Sequence, residues 1–219
     1  MLLLAPAFAA IVVSVSATAD VSPSLVDRVI DETNAIWKPA GVTFLWLRQD
    51  AHAPAAVDVV IGHERGTAQP YNAPLGWIEF DDGAPQRQLY LSLENALALL
   101  EGARGTVGLV SRMPLLERET YLARALGRAL AHEMGHYLLA AKTHTATGLM
   151  KANFSASEFF VPDHSQFRLT SAQLATVAAR LDTAPLVAAA TSGASSPLSP
   201  RPASPPRGAA RWSGPTPHS

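Results

Sequence analysis

The chain contains no cysteine. That excludes a disulfide framework, thiolate-ligated zinc, an iron–sulfur cluster and a thiol nucleophile. It also has little net charge: 17 Lys and Arg stand against 18 Asp and Glu, for a formal charge of −1. Such a balance excludes a polybasic nucleic-acid binder as the default reading, and it gives no strong pull toward an anionic membrane. Charged residues are few, 16%, whereas hydrophobic residues reach 48% of the 219 positions. One domain with a real core, plus appendages, fits those figures. No repeat of useful period is present. The soft-nitrogen resource left to the chain is its seven histidines.

Charge is missing most completely at the two ends. Residues 1–19 carry no charged side chain, and Ala17-Thr18-Ala19 has the small-x-small form of a signal-peptide cleavage site. The expectation is an export signal removed after Ala19, placing the protein in the periplasm or outside the cell. A membrane anchor through residues 2–19 and a folded element are the competing readings. Residues 184–219 hold eight prolines, seven serines, three arginines and no acid. That composition predicts a disordered tail, since it buries too little apolar surface to offset chain entropy. The expected folded domain is residues 20–183, with 14 basic and 18 acidic residues.

Within that stretch Ser22-Pro23 reads as a helix start, and Leu25, Val26, Val29, Ile30, Thr33 and Trp37 recur at helical spacing until Pro39 and Gly41. Strands are expected at 42–47, 57–61, 76–80 and 88–93, with turn chemistry at Asp81-Asp82-Gly83. A short helix is expected around 96–100. A long one follows from Leu115 to about Ala141, and a last one at 171–181 opens with the capping-box pattern Thr170-Ser171-Ala172-Gln173. This order predicts an α+β domain with one small sheet.

The long helix contains His132-Glu133-Met134-Gly135-His136. His132 and His136 stand one turn apart on one face and can hold one zinc ion from the same side. Glu133, about 100° round the helix, lies beside such an ion and can take a proton from a zinc-bound water. Leu130, Met134, Tyr137 and Leu138 face away from His132. Ala125 and Ala129 leave room on the histidine side, and Arg124 and Arg128 mark the polar stripe. Gly127 and Gly135 each cost about 1 kcal/mol inside a helix, so each implies close packing against another element. Zinc needs a third protein ligand. His144 can reach the ion if the chain turns back after the helix, and Gly148-Leu149-Met150 provides a further bend.

The run HEMGHYLLAAKTHTATGLM resembles the metzincin clan of zinc metallopeptidases, which carry H-E-x-x-H-x-x-G-x-x-H and a later methionine turn. The resemblance implies a small zincin-like domain with a mixed sheet, a central active-site helix and a closing helix. It implies zinc on His132, His136 and His144, Glu133 as general base and Met150 as the turn methionine. The pattern departs from the clan in three places. Leu139 occupies the position of the clan's glycine, Lys142 that of its third histidine, and His144 comes two residues later. Ala152 stands where some members have a tyrosine. A gluzincin-like arrangement would instead use Glu158, with Asp163 in support, and His164 is a third candidate.

The expected activity is hydrolysis of peptide bonds in a peptide or protein substrate, which would lie along an exposed sheet edge such as the strand at 88–93. The alternatives are a zinc hydrolase of non-peptide amides and a non-catalytic zinc-binding protein on the same scaffold. Intact Glu133 favours chemistry over mere binding.

Overall fold

A computed structural model describes residues 10–48, 54–66 and 73–183. Five strands, β1 (Ala10–Ala17), β2 (Thr43–Arg48), β3 (Val57–Gly62), β4 (Gly76–Asp81) and β5 (Ala84–Ser92), form one sheet in the order β2-β1-β3-β5-β4. The first four in that order are mutually parallel, and β4 runs antiparallel to β5. The helices are α1 (Pro23–Trp37), α2 (Leu93–Gly102), α3 (Arg104–Val107), α4 (Leu115–Leu139), α5 (Ala156–Phe160) and α6 (Ser171–Thr183). The fold is α+β, as expected.

The expected caps form. The Ser22 hydroxyl accepts from the Leu25 amide with Pro23 in the first turn. Gln173 and Thr170 bond reciprocally at the start of α6. Asp81-Asp82-Gly83 makes the β4–β5 turn, with Asp82 and Gly83 both at positive φ.

The N-terminal expectation needs correction. Residues 10–17 are a strand, not a segment dispensable to the fold: β1 pairs with β2 on one side and β3 on the other. Ile11, Val12, Val13 and Val15 are all buried in the main core. Cleavage after Ala19 would take an inner strand out of the sheet, so the folded domain begins upstream of residue 20. Its apolarity is that of a strand buried on both faces in a parallel sheet. Residues 1–9 and the tail 184–219 lie outside the described residues. Among the described residues no helix is long and apolar enough to cross a membrane.

α1 and α4 pack on each other and on the sheet. Gly127 is the point of closest approach: a Cβ there would come within 2.7 Å of Glu32 Cβ and 2.9 Å of the Val29 carbonyl oxygen. Thr33 Oγ1 donates to the Gly127 carbonyl, and Trp37 Nε1 to that of Ala131. These bonds fix α4 against α1 and thereby fix the face that α4 turns away from it.

Arg128 is the second correction. It is fully buried rather than part of a solvated stripe. Its Nε bonds Glu32 at 2.8 Å, and its two terminal nitrogens donate to the carbonyls of Glu158, Val161 and Asp163. A buried guanidinium needs this full set of partners. It ties the segment after α5 to the central helix.

Candidate metal centre

α4 presents His132 and His136 one turn apart, and the chain that follows brings in His144. The helix stops at Leu139, two residues short of the expected end, because Ala140 takes the left-handed conformation, φ 49°. The reversal is immediate. The Ala141 amide bonds the His136 carbonyl at 3.3 Å, while His136 Nδ1 bonds the Ala141 carbonyl at 2.6 Å. Three residues on, the His144 ring stacks on His132 at a centroid distance of 5.3 Å and stands edge-on to His136 at 4.8 Å.

Next the chain closes on itself. The Thr145 amide bonds the Met150 carbonyl at 2.8 Å, and Gly148 turns at φ 81°. No larger residue fits there, since a Cβ at Gly148 would lie 2.5 Å from the Arg168 carbonyl oxygen. This turn places Met150, wholly buried, beneath Gly135. A Cβ on Gly135 would overlap the Met150 sulfur, which is why the helix carries glycine one residue before its second histidine. The Leu149 carbonyl accepts from His132 Nδ1 at 2.7 Å.

These bonds settle the tautomers. A carbonyl oxygen only accepts, so Nδ1 of His132 and of His136 carries the proton and each Nε2 presents a lone pair. Those lone pairs converge. His136 Nε2 lies 3.0 Å from His132 Nε2 and 3.2 Å from His144 Nε2. Acceptors at that separation repel unless a cation lies among them. A zinc tetrahedron with Zn–N distances of about 2.0–2.1 Å separates its nitrogens by about 3.3 Å, close to those two separations, and the three donor nitrogens all lie within 4.8 Å of one another. Burial also favours the neutral form of the two rings on α4: it pushes His132 down to about 4, with the neighbouring imidazoles adding, and it lowers His136 as well. Neutral imidazoles are the form that binds metal. The three-histidine set therefore fits a metal ion, and nitrogen-only donors in this geometry fit zinc.

Glu133 is buried beside the triangle. Burial pushes its carboxyl up to about 8, opposed by a backbone hydrogen bond from Ile78. A divalent cation nearby favours the ionised form of such a group. Gly76, at the start of β4, makes room: a Cβ there would sit 3.2 Å from Glu133 Cγ. The cleft over these groups has a volume of about 910 Å³ and is walled by β4, α2 and the segment around Phe154 and Phe159.

The other ligand candidates are placed elsewhere. Glu158 caps α5 through the Ser155 amide and hydroxyl and pairs with Lys151 at 2.6 Å, so its carboxylate is committed. Asp163 bonds Ser165. Neither Glu158 nor His164 joins the histidine triangle. His63, in an exposed loop, pairs with Asp20 and approaches Glu94. His52 and His218 lie outside the described residues. The strand at 88–93 is not an edge: β5 lies between β3 and β4, and β4 is the free edge at the cleft. Gly76, Phe80, Lys142 and the buried role of Arg128 were missed in the sequence. An isolated glycine at the head of a strand is the one local signal that could have marked a close approach there.

The fold is similar to that of archaemetzincin from Methanopyrus kandleri, with a TM-score of 0.52 at 13% identity over 82% of this chain and 99% of that one. No protein-family model and no curated protein matches the sequence.

Proposed function

We propose that this protein is a zinc-dependent peptidase, with His132, His136 and His144 as ligands and Glu133 as general base. The observation that carries the reading is the convergence of three imidazole Nε2 atoms beside a buried carboxyl at the floor of an open cleft. Zinc bound there would polarise a scissile carbonyl and acidify a water. Glu133 takes that water's proton and delivers it to the leaving amine. Leu149 and Ala141 hold the two helical imidazoles in the productive tautomer. The peptide lies extended along β4, whose outer edge is unpaired among the described residues, and its backbone bonds that edge as an added strand.

The test is metal analysis together with hydrolysis of a peptide library by the zinc-reconstituted protein. Glu133→Ala is expected to keep one zinc and to lose at least a hundredfold in turnover, because the carboxylate moves protons and does not coordinate. A protein that stays empty after reconstitution, or a Glu133→Ala variant as active as wild type, would refute the proposal.

A further inference from the structure

The cleft is lopsided in charge. Three cationic side chains reach it, Arg128, Lys142 and Lys151, against the single carboxyl of Glu133. Two of the three are spoken for. Arg128 is held by Glu32 and three carbonyls, and Lys151 by Glu158. Lys142 is different. Its side chain is exposed, and among the described residues no carboxylate lies within 4.0 Å of it. Asp81 and Asp82, at the nearby hairpin turn, do not pair with it. Its Nζ stands over the face of Phe80, 5.1 Å from the ring centroid. Phe80 in turn stands edge-on to His136, centroids 6.5 Å apart.

The backbone under Lys142 is fixed on both sides. Ala141 is bonded to His136 through its amide and its carbonyl, and His144 belongs to the histidine triangle. Among the described residues Lys142 is therefore a cation without a carboxylate partner, on a backbone held by hydrogen bonds. Its Nζ lies no more than about 12 Å from the His136 ring, a span of three or four extended residues. A cation over an aromatic face, open to solvent on its other side, is placed to receive an anion.

We propose that Lys142 is a substrate-binding residue that pairs with a carboxylate of the peptide within three or four residues of the scissile bond. The carboxylate is either an acidic side chain or a free C-terminus. The inference rests on the peptidase reading, and it assigns that site a substrate class: peptides carrying negative charge close to the cleaved bond.

A binding experiment separates it from catalysis. Zinc-loaded, full-length Glu133→Ala protein is immobilised and offered two equimolar libraries of N-acetylated random hexapeptides, one with free C-termini and one amidated. Retained peptides are identified by mass spectrometry. Enrichment of carboxylate-bearing peptides by about fivefold is expected, the scale of one partly exposed ion pair. Enrichment of Asp and Glu in both libraries assigns a side chain, and enrichment confined to the free acids assigns the C-terminus. Lys142→Met, added to the same protein, should bring the enrichment below about twofold with zinc content and far-UV circular dichroism unchanged. Lys142→Arg should keep it. Absence of a carboxylate preference, or a preference that survives Lys142→Met, would overturn the inference. Wild-type protein that retains acidic peptides but cleaves none refutes the peptidase reading and leaves the anchor standing. Cleavage indifferent to carboxylates refutes the anchor alone.

Discussion

Replacing Gly135 by alanine sets helix propensity against packing, and the structure decides the sign. On propensity alone the change should stabilise α4 by about 1 kcal/mol. The new methyl, however, would overlap the Met150 sulfur and come within 3.2 Å of its Cε. The sulfur would have to retreat by more than about an ångström to reach ordinary contact. Met150 has no room for that, being wholly buried and held at both flanks, by the Leu149 carbonyl on His132 and by its own carbonyl on the Thr145 amide. Overpacking of this kind costs about 1–3 kcal/mol. The net expectation is a loss of up to about 2 kcal/mol, or up to roughly 8 °C in Tm for a chain of this size. Urea and thermal unfolding in the presence of a chelator measure it without the contribution of bound metal. The decisive arm is the double variant. Met150→Ala alone should cost about 2–5 kcal/mol. In that background Gly135→Ala should become neutral or stabilising by up to about 1 kcal/mol, because the clash is gone and the propensity gain remains. If Gly135→Ala stabilises the otherwise native protein, or costs the same in both backgrounds, the packing argument is wrong.

The remaining predictions concern the ligand set and the first strand. His144→Ala should weaken zinc by at least about a hundredfold in competition with a chromophoric chelator, whereas Glu158→Gln should stay within about threefold of wild type while lowering stability by about 1 kcal/mol through loss of its cap and its Lys151 pair. An empty Glu158→Gln protein beside a loaded His144→Ala protein would reverse the assignment. Deleting residues 2–17 removes β1 from between β2 and β3 and should abolish cooperative unfolding. A truncated protein with native circular dichroism and a sharp melting transition would show that the strand is dispensable.

The parts of this molecule that were legible in the sequence are those fixed by local chemistry. Ser22-Pro23 starts a helix wherever it stands before an amphipathic run, and His132 and His136 share a helix face by spacing alone, with Glu133 about 100° round from His132. His144 was legible because eight residues after His136 are enough for one reversal. What was not legible depends on partners distant in sequence. Ala10–Ala17 is apolar enough for a signal segment and equally so for a strand buried on both faces, and only its pairing to β2 and β3 separates the two. Helical angles give the direction of Arg128 but not that Glu32 and the segment after α5 close over it. The free sheet edge could not be read either, since strand order is set by the crossovers, which leave β5 inside and β4 outside.

The two extra residues before the third histidine have a structural consequence. The clan's glycine position is Leu139, which here is still helical, and the left-handed residue is Ala140. An alanine in that conformation costs about 1–2 kcal/mol relative to a right-handed one. The opposing interactions are on the second histidine itself: its carbonyl receives the Ala141 amide and its Nδ1 bonds the Ala141 carbonyl, so one residue caps the helix and orients the ligand. In the proposed site Ala141 makes that bond and His144 would supply the third ligand, so the two positions between them carry no ligand role. Lys142 is one of the two. Its backbone lies between the cap on one side and His144 on the other, and its side chain lines the cleft over the face of Phe80. The exit from the helix thus sets a charged residue between the helix cap and the histidine triangle, at the mouth of the cleft.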